Sequence, residues 1–330
     1  MTRKLVLALL FITAVALFIT VQTAPASTAA YQTDVFFDDF DGTELDTDKW
    51  LVAFKQWGGA DANGGVRPEN VSVSNGKLII EAHGNNYTGD LMGINRDLSE
   101  RADGKRVGGA IATKDYFASG DYEIRMKVVP RYGVASAIWT FQYAEYYPGD
   151  PEYLEKPVGG VDYYAVNHEI DIEMPGRPAA AHTGFDFNRA LFNTWTGENN
   201  DEYTVNYTDV GAPQDDGEWH TYQFKWHTGD ANETQRVEFY IDGVLKNTTT
   251  TDVPTNAGRL WIGAWFPNGW TGTPNFDTDY LEVDWVKITP YAEDGDTWHP
   301  ETFPNEGWGN MNHTIDSDIF YDDFSADTLD

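Results

Sequence analysis

The sequence predicts an all-β protein built as a sandwich of two antiparallel sheets. Short alternating or apolar runs recur along the chain, broken by Gly, Asn, Asp and Pro, and no long stretch has helical spacing. Asn75-Gly76 and Asp242-Gly243 are dipeptides typical of two-residue hairpin turns. With 330 residues, 41% of them hydrophobic, the chain is long enough to bury a large core.

The predicted strands follow from these turns and from alternation. One hairpin joins 71–74 to 77–81, and a second joins 237–241 to 244–245. Polar and apolar residues alternate over one further segment, which predicts another strand. Two apolar segments closer to the C-terminus predict the last two strands. These three strands are predicted at 121–128, 259–265 and 281–288.

The N-terminus predicts export from the cell. Two basic residues within the first four positions precede an uncharged apolar run over 5–21, and small residues follow. This order is typical of a secretory signal peptide, predicted here over 1–30 with cleavage near Ala26 or Ala30. A retained membrane anchor is the alternative, because 17 apolar residues are near the lower limit for a span. After cleavage we expect a secreted monomer that does not associate with membranes.

We predict one domain over 34–291 and an acidic linker, rich in Gly, Pro and Asn, in the segment 292–330. Within that segment, residues 318–330 match residues 34–46 at seven of 13 positions. The repeat is consistent with the start of a second module, with a closing strand of the same sandwich, or with chance.

Charge and composition exclude several classes of function. The 53 acidic against 22 basic residues give a net charge of −31, which argues against binding nucleic acid or anionic lipid. The absence of cysteine excludes disulfides, thiolate metal sites and cysteine nucleophiles. The 12 Trp and 18 Tyr suit the flat faces of sugars, although a β core also uses aromatic rings. A high-salt habitat and an ordinary acidic secreted protein are equally compatible with the charge.

Three carboxylates, Glu169, Asp171 and Glu173, alternate with Ile170 and Ile172. On a strand all three carboxylates share one face and the isoleucines point to the other. Like charges this close raise the pKa of at least one group. One protonated and one ionised carboxylate are what glycosidic cleavage needs, as the acid and the nucleophile.

Geometry sets a condition on this hypothesis. The Cα atoms of Glu169 and Glu173 lie about 13 Å apart on a strand, whereas retaining hydrolases hold the two carboxyl groups about 5.5 Å apart. The two side chains must therefore lean together on a twisted, concave strand. The alternative is a strand whose polar side chains only face water.

The triplet and its surroundings resemble glycoside hydrolase family 16, the group of laminarinases, lichenases, agarases and carrageenases, whose signature is Glu-X-Asp-X-Glu or a form one residue longer. Other segments resemble the family in the expected order; they lie at 36–42, 109–114, 120–127, 137–139, 219–222, 240–243 and 283–286. The resemblance implies a jelly-roll sandwich with a concave substrate cleft. It also implies that Glu169 is the nucleophile, Asp171 the assisting carboxylate and Glu173 the acid/base.

The resemblance further implies retaining endo-hydrolysis of a β-linked polysaccharide without an organic cofactor. We favour a β-1,3- or mixed-linkage glucan. The alternatives are a β-galactan hydrolase of the agar, porphyran or host-glycan type, a transglycosylase, and a non-catalytic carbohydrate-binding module. Some family members carry a structural calcium ion, for which Asp39, Asp41 and Asp284 are candidates; no other metal site is expected.

Four tryptophans are candidates for sugar binding, with core packing as the alternative for each: Trp139, Trp195, Trp265 and Trp270. Because His168 shares the parity of Ile170, we expect it to be structural. The shorter signature predicts a strand without a bulge. We also expect a long loop between Phe141 and Glu169 that walls one end of the cleft.

Overall fold

The computed structural model describes residues 31–56, 64–95, 98–102, 106–150, 153, 164–176, 187–196, 203–267, 270–299 and 319–320. Across these ranges the regular structure is β-strand, apart from one 3₁₀ turn at Pro68–Asn70. None of them contains a helix long and apolar enough to cross a membrane. The predicted signal peptide lies outside the described residues.

Sixteen strands run through the described part of the chain. In order they are β1 Phe36–Asp38, β2 Trp50–Ala53, β3 Val71–Val73, β4 Leu78–His83, β5 Gly109–Thr113, β6 Gly120–Lys127, β7 Ala135–Tyr146, β8 Tyr164–Met174, β9 Arg189–Trp195, β10 Tyr203–Asp209, β11 His220–His227, β12 Arg236–Ile241, β13 Val244–Thr249, β14 Arg259–Trp265, β15 Thr278–Pro290 and β16 Ile319–Phe320. The two predicted hairpins and the three further predicted strands are all present.

The strands form the two sheets of the predicted sandwich. The convex sheet has the order β13-β12-β11-β6-β15-β4-β3, with β1 also paired to β15. The concave sheet has the order β10-β9-β8-β7-β14-β5-β2-β16. Pairing is antiparallel throughout both sheets except for the contact of β16 with β2. The all-β jelly-roll prediction is confirmed.

Both predicted hairpin turns have the expected backbone. Asn75 and Gly76 have φ angles of 55° and 70°, and Asp242 and Gly243 have φ angles of 52° and 73°. A type I′ turn needs positive φ at both central positions, which Asn, Asp and Gly tolerate best. These two dipeptides therefore set the registers of β3 with β4 and of β12 with β13.

The main core lies between the two sheets. Ile170 and Ile172 of the concave sheet are completely buried there. Phe192 of β9 stacks on Phe239 of β12 with ring centroids 4.5 Å apart, which joins one sheet to the other. Burial of these apolar side chains provides the main driving force for closing the sandwich.

Strands β7 and β8 pair in unbroken register from Ser136–Met174 to Tyr146–Tyr164. The prediction that the carboxylate strand has no bulge is confirmed. The predicted loop between Phe141 and Glu169 is too long, because both strands continue for five residues beyond that pair. The true connection spans 147–163, of which only 147–150 and 153 are described.

The first part of the predicted linker packs against the sandwich. The carboxylate of Asp296 accepts hydrogen bonds from the backbone N–H of Ser119 at 3.1 Å and from Thr228 Oγ1 at 2.7 Å. Trp298 makes an edge contact with Tyr116 at 4.7 Å between centroids. These contacts attach residues up to His299 to the domain.

Residues 300–330 lie outside the described part of the chain, apart from Ile319 and Phe320. These two residues pair in parallel with β2, at the edge of the concave sheet. A second module beginning near residue 318 stays a prediction.

Candidate active site

The carboxylate triplet stands on the face of β8 opposite to the core. Ile170 and Ile172 have no exposed surface, as alternation on a strand requires. Asp171 and Glu173 are also largely shielded, with 5% and 7% of their surface exposed. Carboxyl groups so far removed from water lose hydration that only other contacts can replace.

Strands β7 and β9 flank β8 and supply the side chains around the triplet. Cross-strand pairing forms three rows across the concave sheet, which are Phe141–Glu169–Trp195, Trp139–Asp171–Asn193 and Ala137–Glu173–Leu191. Paired residues project from the same side of a sheet. The triplet is therefore bordered by two aromatic rings and an alanine on the β7 side, and by aromatic, amide and aliphatic groups on the β9 side.

Glu169 is oriented by two hydrogen-bond donors. Asn167 Nδ2, one step earlier on the same face of β8, donates to Glu169 Oε2 at 3.0 Å. The carboxyl group of Asp171 also hydrogen-bonds to Glu169. An ionised carboxylate accepts such bonds best, so this arrangement suits a nucleophile.

Burial raises the pKa of Asp171 well above its ordinary value, and the charges of Glu169 and Glu173 raise it further. Trp195 Nε1 donates a hydrogen bond to Asp171 Oδ2 at 3.2 Å. This bond lowers the pKa of Asp171 but does not offset the effects of burial and of the neighbouring charges. These effects favour the protonated form of Asp171, in which its carboxyl group can donate the hydrogen bond to Glu169.

Burial also raises the pKa of Glu173 to about 8, and the negative charge of Glu169 is the second cause. Trp265 Nε1 donates to Glu173 Oε1 at 3.0 Å and acts in the opposite direction. Glu173 thus carries a proton at neutral pH. A buried acid and a hydrogen-bonded carboxylate share one strand face, which is the division of roles that glycosidic cleavage uses.

All four tryptophans singled out from the sequence lie around the concave face. Trp195 and Trp265 contact the carboxylates directly through their indole N–H groups. Trp270 makes an edge contact with Trp265 at 6.2 Å between centroids. Trp139 is only 6% exposed, because its ring stacks on Trp261 at 5.4 Å. Sugar contact by these rings stays a prediction.

Sequence reasoning missed three residues of this face. Asn167 continues the alternation of the triplet by one step and could have been found from it. Trp261 lies on the same face of β14 as Trp265, and it pairs with Trp139 of β7, which places it beside the site. Lys55 gave no signal: it is completely buried with its Nζ 5.4 Å from the Trp261 ring centroid. Only the pairing of distant strands brings it there.

The residues proposed for calcium do not converge. Asp284 sits at a register shift in β15 and forms an ion pair with Arg125. Asp39 and Asp41 form no three-ligand group with it in the described part of the chain. A cage built from these three carboxylates therefore does not fit the geometry, and calcium binding stays a prediction.

His168 faces the core side of β8, as its parity predicts. Burial, followed by the charge of His299, lowers its pKa to about 4. The imidazole is therefore neutral at physiological pH and cannot supply a charge to the triplet. Its position on the opposite face of β8 also keeps it away from the three carboxylates.

Comparison with known proteins agrees with this geometry. The model for glycosyl hydrolases family 16 matches residues 66–287, two thirds of the chain. A β-glucanase of Paenibacillus polymyxa is 29% identical over 224 residues, covering 66% of this chain and 79% of that protein. A β-glucanase of Bacillus subtilis (strain 168) is 28% identical over 279 residues, covering 83% and 93%.

A solved structure supports the fold independently. The Bacillus licheniformis β-glucanase aligns with a TM-score of 0.53 at 23% identity, over 78% of this chain and 99% of that one. The family match, the jelly-roll sheets and the carboxylate triplet agree, and the chain belongs to glycosyl hydrolases family 16, as an endo-acting glycoside hydrolase.

Proposed function

We propose that this protein is a secreted endo-β-glucanase that cleaves β-1,3- or mixed-linkage glucan with retention of configuration. The observation that carries the proposal is the pairing of Glu169, held by two donors, with Glu173, whose pKa is raised to about 8. The curated relatives named β-glucanase support the choice of glucan over galactan.

In the first step Glu169 attacks the anomeric carbon and forms a glycosyl ester. The bond from that carbon to the leaving oxygen breaks, and the proton of Glu173 passes to the oxygen. Asp171 holds the nucleophile through its hydrogen bond. The part of the polysaccharide that carries the leaving oxygen departs with a new hydroxyl group, and Glu173 is left ionised.

The electrostatics of the site prepare the second step. The charge of Glu169 is one cause of the raised pKa of Glu173. That charge disappears while Glu169 is bound in the ester, so the pKa of Glu173 falls and Glu173 becomes a better base. It then takes a proton from water, the oxygen attacks the same carbon, and Glu169 is released.

The other expectations remain part of this proposal. We expect export after cleavage near Ala26 or Ala30, action as a monomer, and no organic cofactor; calcium, if it binds, serves stability. A complete acid and nucleophile pair favours an enzyme over a carbohydrate-binding module. A transglycosylase differs only in the acceptor, sugar instead of water, so product analysis separates the two.

A hydrolysis screen tests the proposal. Laminarin, lichenan, xyloglucan, agarose and carrageenan are incubated with the enzyme, and products are sized and counted by reducing ends. NMR of the first product should show the β-anomer. Glu169→Ala and Glu173→Ala should each abolish release while Glu218→Ala, at an exposed position, should not. Most activity surviving in either triplet variant, or an α-anomer as first product, contradicts the mechanism.

A further inference from the structure

The edge strand β10 presents two exposed aromatic side chains on the concave face. Tyr203 is 48% exposed and Tyr207 is 39% exposed, with the half-buried Val205 between them. Pairing of these residues with Trp195, Asn193 and Leu191 of β9 places all three on the side that carries the triplet. They form what we call the β10 edge, defined as Tyr203, Val205 and Tyr207.

The β10 edge is in register with the catalytic triplet. Tyr203 continues the row of Glu169, Val205 the row of Asp171, and Tyr207 the row of Glu173. The row through Asp171 therefore ends at the sheet edge in Val205, which has Tyr203 on one side and Tyr207 on the other. Two strand spacings, roughly 10 Å, separate β8 from β10.

The direction of a bound chain follows from the position of the carboxylates. In the proposed mechanism Glu169 and Glu173 act on one linkage from two points along β8, so the polysaccharide would run across the strands. A chain laid across the strands on the β9 side passes over Asn193 and then Val205. Tyrosine rings with an apolar face and a hydroxyl group suit a sugar, which also has apolar faces and polar edges.

One ring of the edge is already held in place. Tyr203 stacks on Trp195 with 4.4 Å between centroids and 27° between planes, and Trp195 donates to Asp171. Tyr203 therefore belongs to a chain of contacts that ends at the triplet. A ring fixed in this way loses little conformational freedom when a ligand binds.

We propose that the β10 edge is a distal sugar subsite at which the polysaccharide leaves the cleft between Tyr203 and Tyr207. This inference rests on the proposed glucanase function and adds a preference for chains long enough to reach β10. The occupant is a sugar unit of the substrate itself, two or more units away from the cleaved linkage.

Chain-length kinetics test the subsite. We compare kcat/KM on lichenan and laminarin with kcat/KM on a short aryl glycoside that cannot reach β10. Tyr203→Ala and Tyr207→Ala should each lower the ratio of long to short substrate about three- to tenfold. Tyr207→Phe should keep most of the ratio. Tyr280→Ala removes a ring of 46% exposure from the convex sheet and should not change the ratio.

Each result has one meaning. A wild-type enzyme inactive on both glucans rejects the proposed function, and the subsite with it. An active wild type whose ratio is preserved in both alanine variants overturns the subsite alone. Equal loss on long and short substrates in Tyr203→Ala, with no effect in Tyr207→Ala, also overturns it and assigns Tyr203 to the support of Trp195. Thermal melts establish that each variant is folded.

Discussion

Replacing Glu173 by Gln is expected to stabilise the fold at neutral pH while abolishing activity. In the folded protein burial and the charge of Glu169 raise the pKa of Glu173 from 4.5 to about 8. The unfolded chain ionises this group freely near pH 4.5. Because the folded pKa is the higher one, the stability associated with Glu173 is fully present below pH 4.5 and is lost as the pH rises through about 8.

The size of the effect follows from this difference. At pH 7 the group is ionised in the unfolded chain and protonated in the fold, which lowers the free energy of unfolding by on the order of 3 kcal/mol. Gln cannot ionise in either state and keeps an oxygen to accept the bond from Trp265. Glu173→Gln should therefore melt about 5–10 °C above the wild type at pH 7 and close to it at pH 4.

Melting curves of both proteins from pH 4 to pH 8.5 measure this difference. Glu218→Gln serves as the matched control, because Glu218 is exposed and its replacement should change the melting temperature little at any pH. The reasoning fails if the difference between Glu173→Gln and wild type does not widen as the pH rises from 4.5 to 8. It also fails if the control variant shows the same widening.

Two further predictions concern the indole donors. In a pH–rate profile of the wild type, kcat/KM should fall through about pH 8 as Glu173 loses its proton. Trp265→Phe removes the hydrogen bond that lowers the pKa of Glu173, so it should move this alkaline limb to higher pH. An alkaline limb that does not move refutes the assignment. Trp195→Phe removes the donor to buried Asp171 and should lower kcat about tenfold with a smaller change in KM; steady-state kinetics that match the wild type contradict the positioning role.

Local patterns in the sequence were enough to predict much of the fold and the face of the triplet. Strand alternation has a period of two, so Glu169, Asp171 and Glu173 share a face whichever strands pair with β8. The turns at Asn75-Gly76 and Asp242-Gly243 depend only on the φ angles that their own residues tolerate. Such features involve neighbours in the chain, and for this reason the sequence alone predicts them.

Other features depend on residues far apart in the chain. Nothing near Glu173 announces the indole of Trp265, 92 positions away, or the burial that raises its pKa to about 8. The continuation of β7 and β8 beyond Phe141, where the sequence predicted a loop, and the packing of Asp296 against Ser119 likewise depend on distant partners. Polar segments of this kind become ordered only through partners that the fold supplies.

Residue alternation, turn dipeptides and the carboxylate triplet were sufficient to predict the strand-rich architecture, the turns and the common face of the three carboxylates, because these follow from backbone geometry over a few residues. The packing of distant strands sets which carboxyl group keeps its proton, which donors hold the others, and that Tyr203 and Tyr207 share the face and the rows of the triplet. Burial and electrostatic interactions act through space, and the distances that govern them exist only once β7, β8, β9, β10 and β14 lie side by side.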